Sequence, residues 1–263
     1  MSGFSADWLS LRAAADDRAR SAELIAAAAR HVGAGATIVD LGAGSGATLF
    51  ALAPLLPKPL HFVLVDADPA LLAEAERRFA TRPVEGVSIE TRAHDLVADP
   101  APWDTPPALL TASALFDLAS APWIARLAAA CGATGVPLLA MLTFDGVLEA
   151  GPAHPFDGPM RGAFIAHQQG EKTFGRAEGP DAPATLAAAF RAHGFAADEA
   201  STPWQLEAGR DDALMAATLD GWTEAASEIL PAQPDAISAW RRARQDARTL
   251  TVGHRDQFFH KAP

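Results

Sequence analysis

An α/β fold with a mostly parallel sheet and helices on both faces is what this sequence predicts, on three observations. Short apolar or β-branched runs alternate with helical patterns between Thr37 and Phe144, the spacing of strands joined by helical crossovers. A glycine-rich turn, Gly42-Ala43-Gly44-Ser45-Gly46, stands directly between the first run and the helix after it. The 263 residues are 49% hydrophobic and 20% charged, a balance that supplies a packed core for one large domain, or one domain with a sizeable insertion.

Each element has its own signal. Asp7 to His31 reads as helix, with Trp8, Leu9, Leu11, Leu24 and Ile25 as apolar positions and Gly33 and Gly35 as the stop. Thr37 to Leu41 is a β-branched run bounded by glycines, hence a buried strand, and a helix follows from Ala47 to Leu56. His61 to Val65 is the second strand, ending at Asp66. Asp68 then Pro69 is a helix start, an N-cap acceptor before a proline at the first helical position, and that helix runs to Thr81. Val87 to Thr91 alternates as a third strand ending near His94-Asp95. Ala108 to Ala114 is a fourth, Pro122 to Ala130 a helix, and Val136 to Phe144 a fifth strand. Gly146 to Asp181 is rich in Gly, Pro and His, with one short apolar segment at Ala163 to Ala166. It is expected to be a lid or substrate-facing insertion. Then come a helix at Pro183 to His193, a strand at Ala196 to Leu206, helices at Ala213 to Ile229 and Ala236 to Arg248, and a last strand near Leu250 to Phe259.

Composition narrows the function. The net charge of -11 and pI near 5.1 disfavour nucleic acid and anionic membrane surfaces, which call for a basic face. The densest basic stretch, Trp240 to Arg244, is expected to be a solvated helix face. Cys131 stands alone, so an intrachain disulfide is excluded, and its apolar helical setting predicts a small core residue. No charged-then-apolar leader pattern and no bilayer-length apolar run are found, and an intracellular, cytoplasmic protein is expected. No metal is expected: the histidines at 154, 167 and 193 lack ligand spacing, and one cysteine builds no thiolate site.

Ligands of parallel sheets lie outside the carboxyl ends of the strands. The positions that matter are therefore Asp40 to Gly46, Asp66, Asp95, Ser113 to Asp117, and Phe144-Asp145. The turn has two readings, because Gly42, Gly44 and Ala47 also fit the dinucleotide pattern with Asp66 some twenty residues on. Asp40 tips the balance between them. A pyrophosphate docked at this turn would face its carboxylate in a partly desolvated site. S-adenosylmethionine carries no phosphate but has a sulfonium and an α-ammonium, which a carboxylate attracts. Asp66 is placed to accept from ribose hydroxyls and Asp95 from the adenine amino group.

The combination Val39-Asp40-Leu41-Gly42-Ala43-Gly44-Ser45-Gly46, Val63-Leu64-Val65-Asp66-Ala67-Asp68-Pro69 and His94-Asp95-Leu96 resembles the cofactor motifs of class I S-adenosylmethionine-dependent methyltransferases, over roughly Ala34 to Asp145. The resemblance implies a Rossmann-like three-layer sandwich with a seven-stranded sheet and an antiparallel last strand. It also implies S-adenosyl-L-methionine as cofactor. Asp40, Gly42, Gly44 and Gly46 would flank the methionine part, Asp66 and Ala67 the ribose, Asp95 and Leu96 the adenine, with Ser113 beside them. Arg20, in the N-terminal helix, is a candidate for the cofactor carboxylate. Trp8 to Arg12, Ala19 to Ser21 and Thr111 to Leu118 resemble a wider group of bacterial methyltransferase-like proteins with no defined substrate.

The residues then divide into an N-terminal cap (1–33), a cofactor half (34–145), the insertion (146–181) and a C-terminal completion of the sheet (182–263). In this reading methyl transfer is an in-line displacement onto a small polar acceptor. The fourth strand lacks the Asn/Asp-Pro-Pro-Tyr/Phe motif of some members that methylate exocyclic nitrogens, which argues against DNA-base and protein-glutamine acceptors. Asp117 is the candidate for contacting the acceptor, against a helix-capping role. His167 is a candidate base. Phe116, Trp123, Phe144, Asp145, Gln168 and Lys172 are candidates for lining the acceptor site. Two other readings stand beside this one: a non-catalytic or partner-dependent protein that binds the cofactor, and an NAD-dependent oxidoreductase. Oligomeric state is not legible.

Overall fold

The computed structural model describes residues 5–261. In chain order the elements are α1 (Ala6–Ala19), α2 (Ala22–Ala29), β1 (Ala36–Leu41), α3 (Ala47–Leu52), β2 (Leu60–Asp66), α4 (Pro69–Thr81), β3 (Val87–Ala93), β4 (Leu109–Ser113), α5 (Ala121–Thr134) and β5 (Leu138–Gly151). They continue with α6 (Asp157–Gln168), β6 (Glu171–Lys172), β7 (Gly175–Arg176), α7 (Ala182–Ala192), β8 (Ala196–Ser201), β9 (Trp204–Glu207), α8 (Asp212–Ile229), α9 (Pro234–Ala243) and β10 (Thr249–His260).

The main sheet runs β3-β2-β1-β4-β5-β10-β8, with β9 also paired to β10. β1 to β5 are parallel, and β10 enters antiparallel between β5 and β8. Alternation along the strands sorts the core into two layers. Val39, Leu41, Val63, Val65 and Leu110 pack on α5 and α7. Ile38, Phe62, Leu64 and Leu109 pack on α2, α3 and α4. The order reverses between β1 and β4, which puts the switch point beside the glycine turn.

Four expectations change. The helix expected over Asp7 to His31 breaks at Arg20, whose backbone is extended (φ -53, ψ 138), and Ser21 caps α2 by accepting from the Leu24 amide. The strand expected over Ala196 to Leu206 splits at Thr202-Pro203 into β8 and β9, so eight strands replace the seven expected. Pro203 has no amide to give the ladder. Residues 146–151 are strand, because β5 runs on past the sheet paired with β10. That ribbon, with β9, carries a third core built from Phe144, Leu148, Trp204 and side chains of α1, α6, α8 and α9. The insertion is therefore largely ordered packing, with α6 lying on α8. Finally, Arg244 leaves the solvated face expected for Trp240 to Arg244: it is buried, stacks on Trp240 and pairs with Asp157.

Candidate functional site

Gly42, Gly44 and Gly46 all hold positive φ (63, 52 and 78), the left-handed region that L side chains enter at a cost. The turn delivers the chain from β1 to the start of α3. Its flanks are close: a Cβ at Gly42 would lie 3.2 Å from Leu115 Cδ1, and one at Gly44 3.1 Å from Leu9 Cδ1. Thus β4's exit and α1 both lean on the turn. Asp66, at the end of β2, accepts from the Gly44 amide at 2.8 Å and from the Asp68 amide at 2.9 Å. Arg78 of α4 braces the far side, donating to Ser45 O at 2.7 Å and Ser45 Oγ at 2.9 Å.

Beneath the turn lie two charges. Asp40 is fully buried; its Oδ1 accepts from Thr111 Oγ1 at 2.7 Å, and its Oδ2 has no partner. Burial pushes its carboxyl up to about 7, against the pull of Thr111, Thr48 and Arg20. Arg20 has a side chain 2% exposed and uses Nη1 on Asp17 at 2.5 Å, leaving Nε and Nη2 buried without partners. The break between α1 and α2 is what lets Arg20 turn inward. Ser21's amide is held there by Asp256 Oδ2 at 2.8 Å, and Asp256 Oδ1 accepts from the Leu142 amide at 2.7 Å and Thr202 Oγ1 at 3.0 Å. Burial raises the Asp256 carboxyl. One carboxylate thus ties the helix break to the irregular points of β5 and β10's neighbours.

At the other expected contacts, Asp95 is exposed and accepts from the Val97 amide at 2.9 Å, while Ala67 is exposed and Leu96 buried. Leu96's carbonyl takes the Trp123 indole N–H at 2.5 Å. Ser113 ends β4, and Ala114 after it has φ 52, a strained conformation for a residue with a Cβ.

That kink feeds a short 3-10 turn, Phe116–Leu118. Asp117 caps no helix. It is buried, its Oδ1 has no partner, and burial pushes its carboxyl up to about 6. Phe116, Trp123 and Phe144 are core side chains, the first two in the layer under α5 and α7 and the third in the extra core. Asp145 packs against Gly253, with Arg255 at 3.6 Å. His167 faces Glu228 of α8 at 3.4 Å. Among the described residues no hydrogen bond or ion pair joins it to Asp117 or to the glycine turn. The insertion meets β4's exit at a cavity of about 530 Å³ lined by Ser120, Pro122, Gln169, Arg176 and Asp181. Gln169, rather than Gln168 or Lys172, faces it.

Sequence reasoning missed a buried group around Trp204. Trp204 Nε1 donates to Asp16 at 2.9 Å, Asp16 holds Arg12 through two hydrogen bonds (2.9 and 3.2 Å), and Arg12 lies 5.1 Å over the Trp204 ring. His254 of β10 packs 5.1 Å from the same ring, and burial beside Arg12 pushes it down to about 3, so it is neutral. An arginine and an aspartate four residues apart on one face of α1, Arg12 and Asp16, are the signal that the sequence carries. Among the described residues no cluster with metal-ligand character occurs, and no helix is long and apolar enough to cross a membrane.

No protein-family model and no curated protein matches the chain. Solved structures do. A cyclopropane-fatty-acyl-phospholipid synthase-like protein from Lactobacillus casei is 17% identical with TM-score 0.59, over 97% of this chain and 94% of that one. A cyclopropane synthase from Mycobacterium tuberculosis is 15% identical with TM-score 0.55, over 98% and 95%. A SAM-dependent methyltransferase from Geobacter sulfurreducens, in complex with S-adenosyl-L-homocysteine, is 19% identical with TM-score 0.52, over 99% and 100%. The fold is the Rossmann-like α/β fold that these structures share. At these identities the likeness concerns architecture, and chemistry has to be argued from the side chains.

Proposed function

We propose that the chain is an S-adenosylmethionine-dependent methyltransferase acting on a small polar molecule. The observation that carries this reading is the pair of opposite, buried and incompletely partnered charges under the glycine turn, Asp40 Oδ2 and Arg20 Nε and Nη2. Buried charges without partners are costly and call for a ligand or another charge. The amino-acid end of S-adenosylmethionine offers an ammonium for Asp40 and a carboxylate for Arg20. A dinucleotide would instead bring a pyrophosphate toward Asp40, which favours the methyl donor over NAD.

Asp66 keeps lone pairs for ribose hydroxyls after accepting two amides, since an ionised carboxylate offers about four acceptor sites. Asp95 is free on one oxygen for the adenine edge. Bound S-adenosylmethionine supplies a methyl group already activated by its sulfonium. Asp117, which follows β4's kink and has a free Oδ1, orients the acceptor and takes the proton that an N–H or O–H acceptor must shed. A raised carboxyl suits that task near neutrality. His167, engaged with Glu228, is a second-choice base.

Calorimetric titration with S-adenosylmethionine, S-adenosylhomocysteine and NADH tests the reading. Binding of the first two and not of NADH is expected. NADH binding alone would replace it with an oxidoreductase, and binding of none would point to a degenerate or partner-dependent protein.

A further inference from the structure

The cavity of about 530 Å³ at β4's exit has the size of a small-molecule site, and backbone hydrogen bonds set its walls. The Glu178 amide donates to Ala119 O at 2.9 Å, which seats the insertion on the residue before Ser120. The Ala177 amide donates to Gly170 O at 3.1 Å, which closes the base of the β6-β7 ribbon next to Gln169. Phe174, between the two strands, forms a further bridge to Ala119. Ser120, Gln169, Arg176, Glu178 and Asp181 therefore share one space, although they come from separate stretches of the chain.

Their side chains are underused. Arg176 stands directly opposite Glu171 across the ribbon, a position from which opposite charges pair. Among the described residues no ion pair joins them and no side-chain hydrogen bond engages the Arg176 guanidinium, which lines the cavity instead. Ser120 holds the N-cap position of α5 without capping it, so its hydroxyl stays available. The same cavity contains two carboxylates, each with one oxygen engaged. Asp181 Oδ2 accepts from Gln169 Nε2 at 2.8 Å, and Glu178 Oε2 accepts from Thr185 Oγ1 at 2.5 Å. Neither carboxylate pairs with Arg176. The cavity thus keeps positive and negative groups apart within one small space. A simple anion would meet the two carboxylates, a simple cation would meet the guanidinium, and an apolar ligand would strip water from all three. A ligand that carries both charges answers both.

We infer that this cavity binds a small zwitterion, a molecule of the α-amino-acid type. Its carboxylate lies on the Arg176 guanidinium, whose planar fork matches a carboxylate, with the Ser120 hydroxyl beside it. Its ammonium lies between Asp181 and Glu178. The inference rests on the methyltransferase reading for its meaning, because the zwitterion is then the methyl acceptor, and Ser120 follows Asp117 by one short turn. Binding itself is testable without the cofactor.

The test uses the full chain near pH 7 and three probes of similar size: L-alanine, which carries both charges, propionate, which lacks the ammonium, and ethylamine, which lacks the carboxylate. The readout is the Gln169 side-chain amide resonance, assigned by its loss in Gln169→Leu. Saturable movement with L-alanine is expected, and binding at least about tenfold weaker with either single-charge probe, as befits loss of a charge-assisted contact. Arg176→Gln should weaken L-alanine by about tenfold and leave ethylamine unchanged. Asp181→Asn should weaken L-alanine several-fold, because Glu178 remains, and leave propionate no weaker. Arg176 and Asp181 are both exposed, so neither substitution disturbs the core. Propionate or ethylamine binding as tightly as L-alanine, no response to L-alanine, or undiminished L-alanine binding in Arg176→Gln would overturn the site. A parallel titration with S-adenosylhomocysteine separates the two ideas: L-alanine binding without it supports the site and sinks the cofactor reading, and the converse sinks the site alone.

Discussion

Asp66 Oδ2 accepts the Gly44 amide at 2.8 Å, which ties the end of β2 to the middle of the glycine turn. The same carboxylate is the proposed ribose acceptor, so one residue both shapes the turn and meets the ligand. Asp66→Ala removes both. The chain loses two charge-assisted bonds, from the Gly44 and Asp68 amides, together worth about 3 kcal/mol or more. S-adenosylhomocysteine affinity should fall by about tenfold or more, from the lost ribose bonds. Calorimetry and urea denaturation on the same variant check both numbers, and unchanged affinity would remove Asp66 from the site.

Asp40 predicts two pH dependences. Its carboxyl, held near 7 by burial, must be ionised to pair with an ammonium. Cofactor affinity should therefore fall as pH drops below about 7, by up to about tenfold per unit. Stability moves the other way. The unfolded chain releases this proton near 3.8 and the folded chain near 7, so over that window the folded state binds more protons, and stability declines as pH rises. Asp40→Asn abolishes this component, of at most about 4 kcal/mol. Denaturation of both proteins from pH 4 to 8 reads the difference. His254, whose lowered value costs stability below its ordinary 6.5, is common to both and cancels.

Gly46 tests the turn's packing. It caps α3 with φ 78, and a Cβ there would lie 3.3 Å from Ala75 Cβ. Strain from the positive φ and crowding against α4 add, and Gly46→Ala should cost about 1–2 kcal/mol. Gly33, with nothing within 4 Å of an added Cβ, should tolerate alanine within about 0.5 kcal/mol. Thermal midpoints of the two variants give the comparison, and equal values would mean that the turn relaxes.

The parallel half of the sheet was legible because each strand is a short apolar run whose end carries a chemically telling residue, as with Leu41-Gly42 and Val65-Asp66. Helix and strand breaks were less legible. Ser21 as a cap and Pro203 as a ladder breaker are visible in the sequence, but Arg20 turning inward depends on Asp256, 236 positions away in the chain. The ribbon past Phe144 was hidden because Gly146, Gly151 and Pro152 read as loop, and pairing with β10 overrides that local signal. Phe116 and Trp123 looked like pocket aromatics, yet they fill the core under α5 and α7. Arg12, Trp204 and His254 come from three distant segments, and no local pattern announces their meeting.

Arg12 is the member of that meeting whose loss is most informative. It is buried, pairs with Asp16, and stacks on Trp204. Arg12→Met keeps the length and apolar stem but leaves Asp16 buried with only the Trp204 indole as donor. Breaking one side of a buried pair costs about 3 kcal/mol or more. The double variant Arg12→Met with Asp16→Leu removes both charges and should regain most of that loss, because a well-packed apolar replacement of a buried pair is often neutral. Urea denaturation of the single and double variants measures the coupling. No recovery in the double variant would mean that Arg12 stabilises α1 through the Trp204 ring rather than through Asp16.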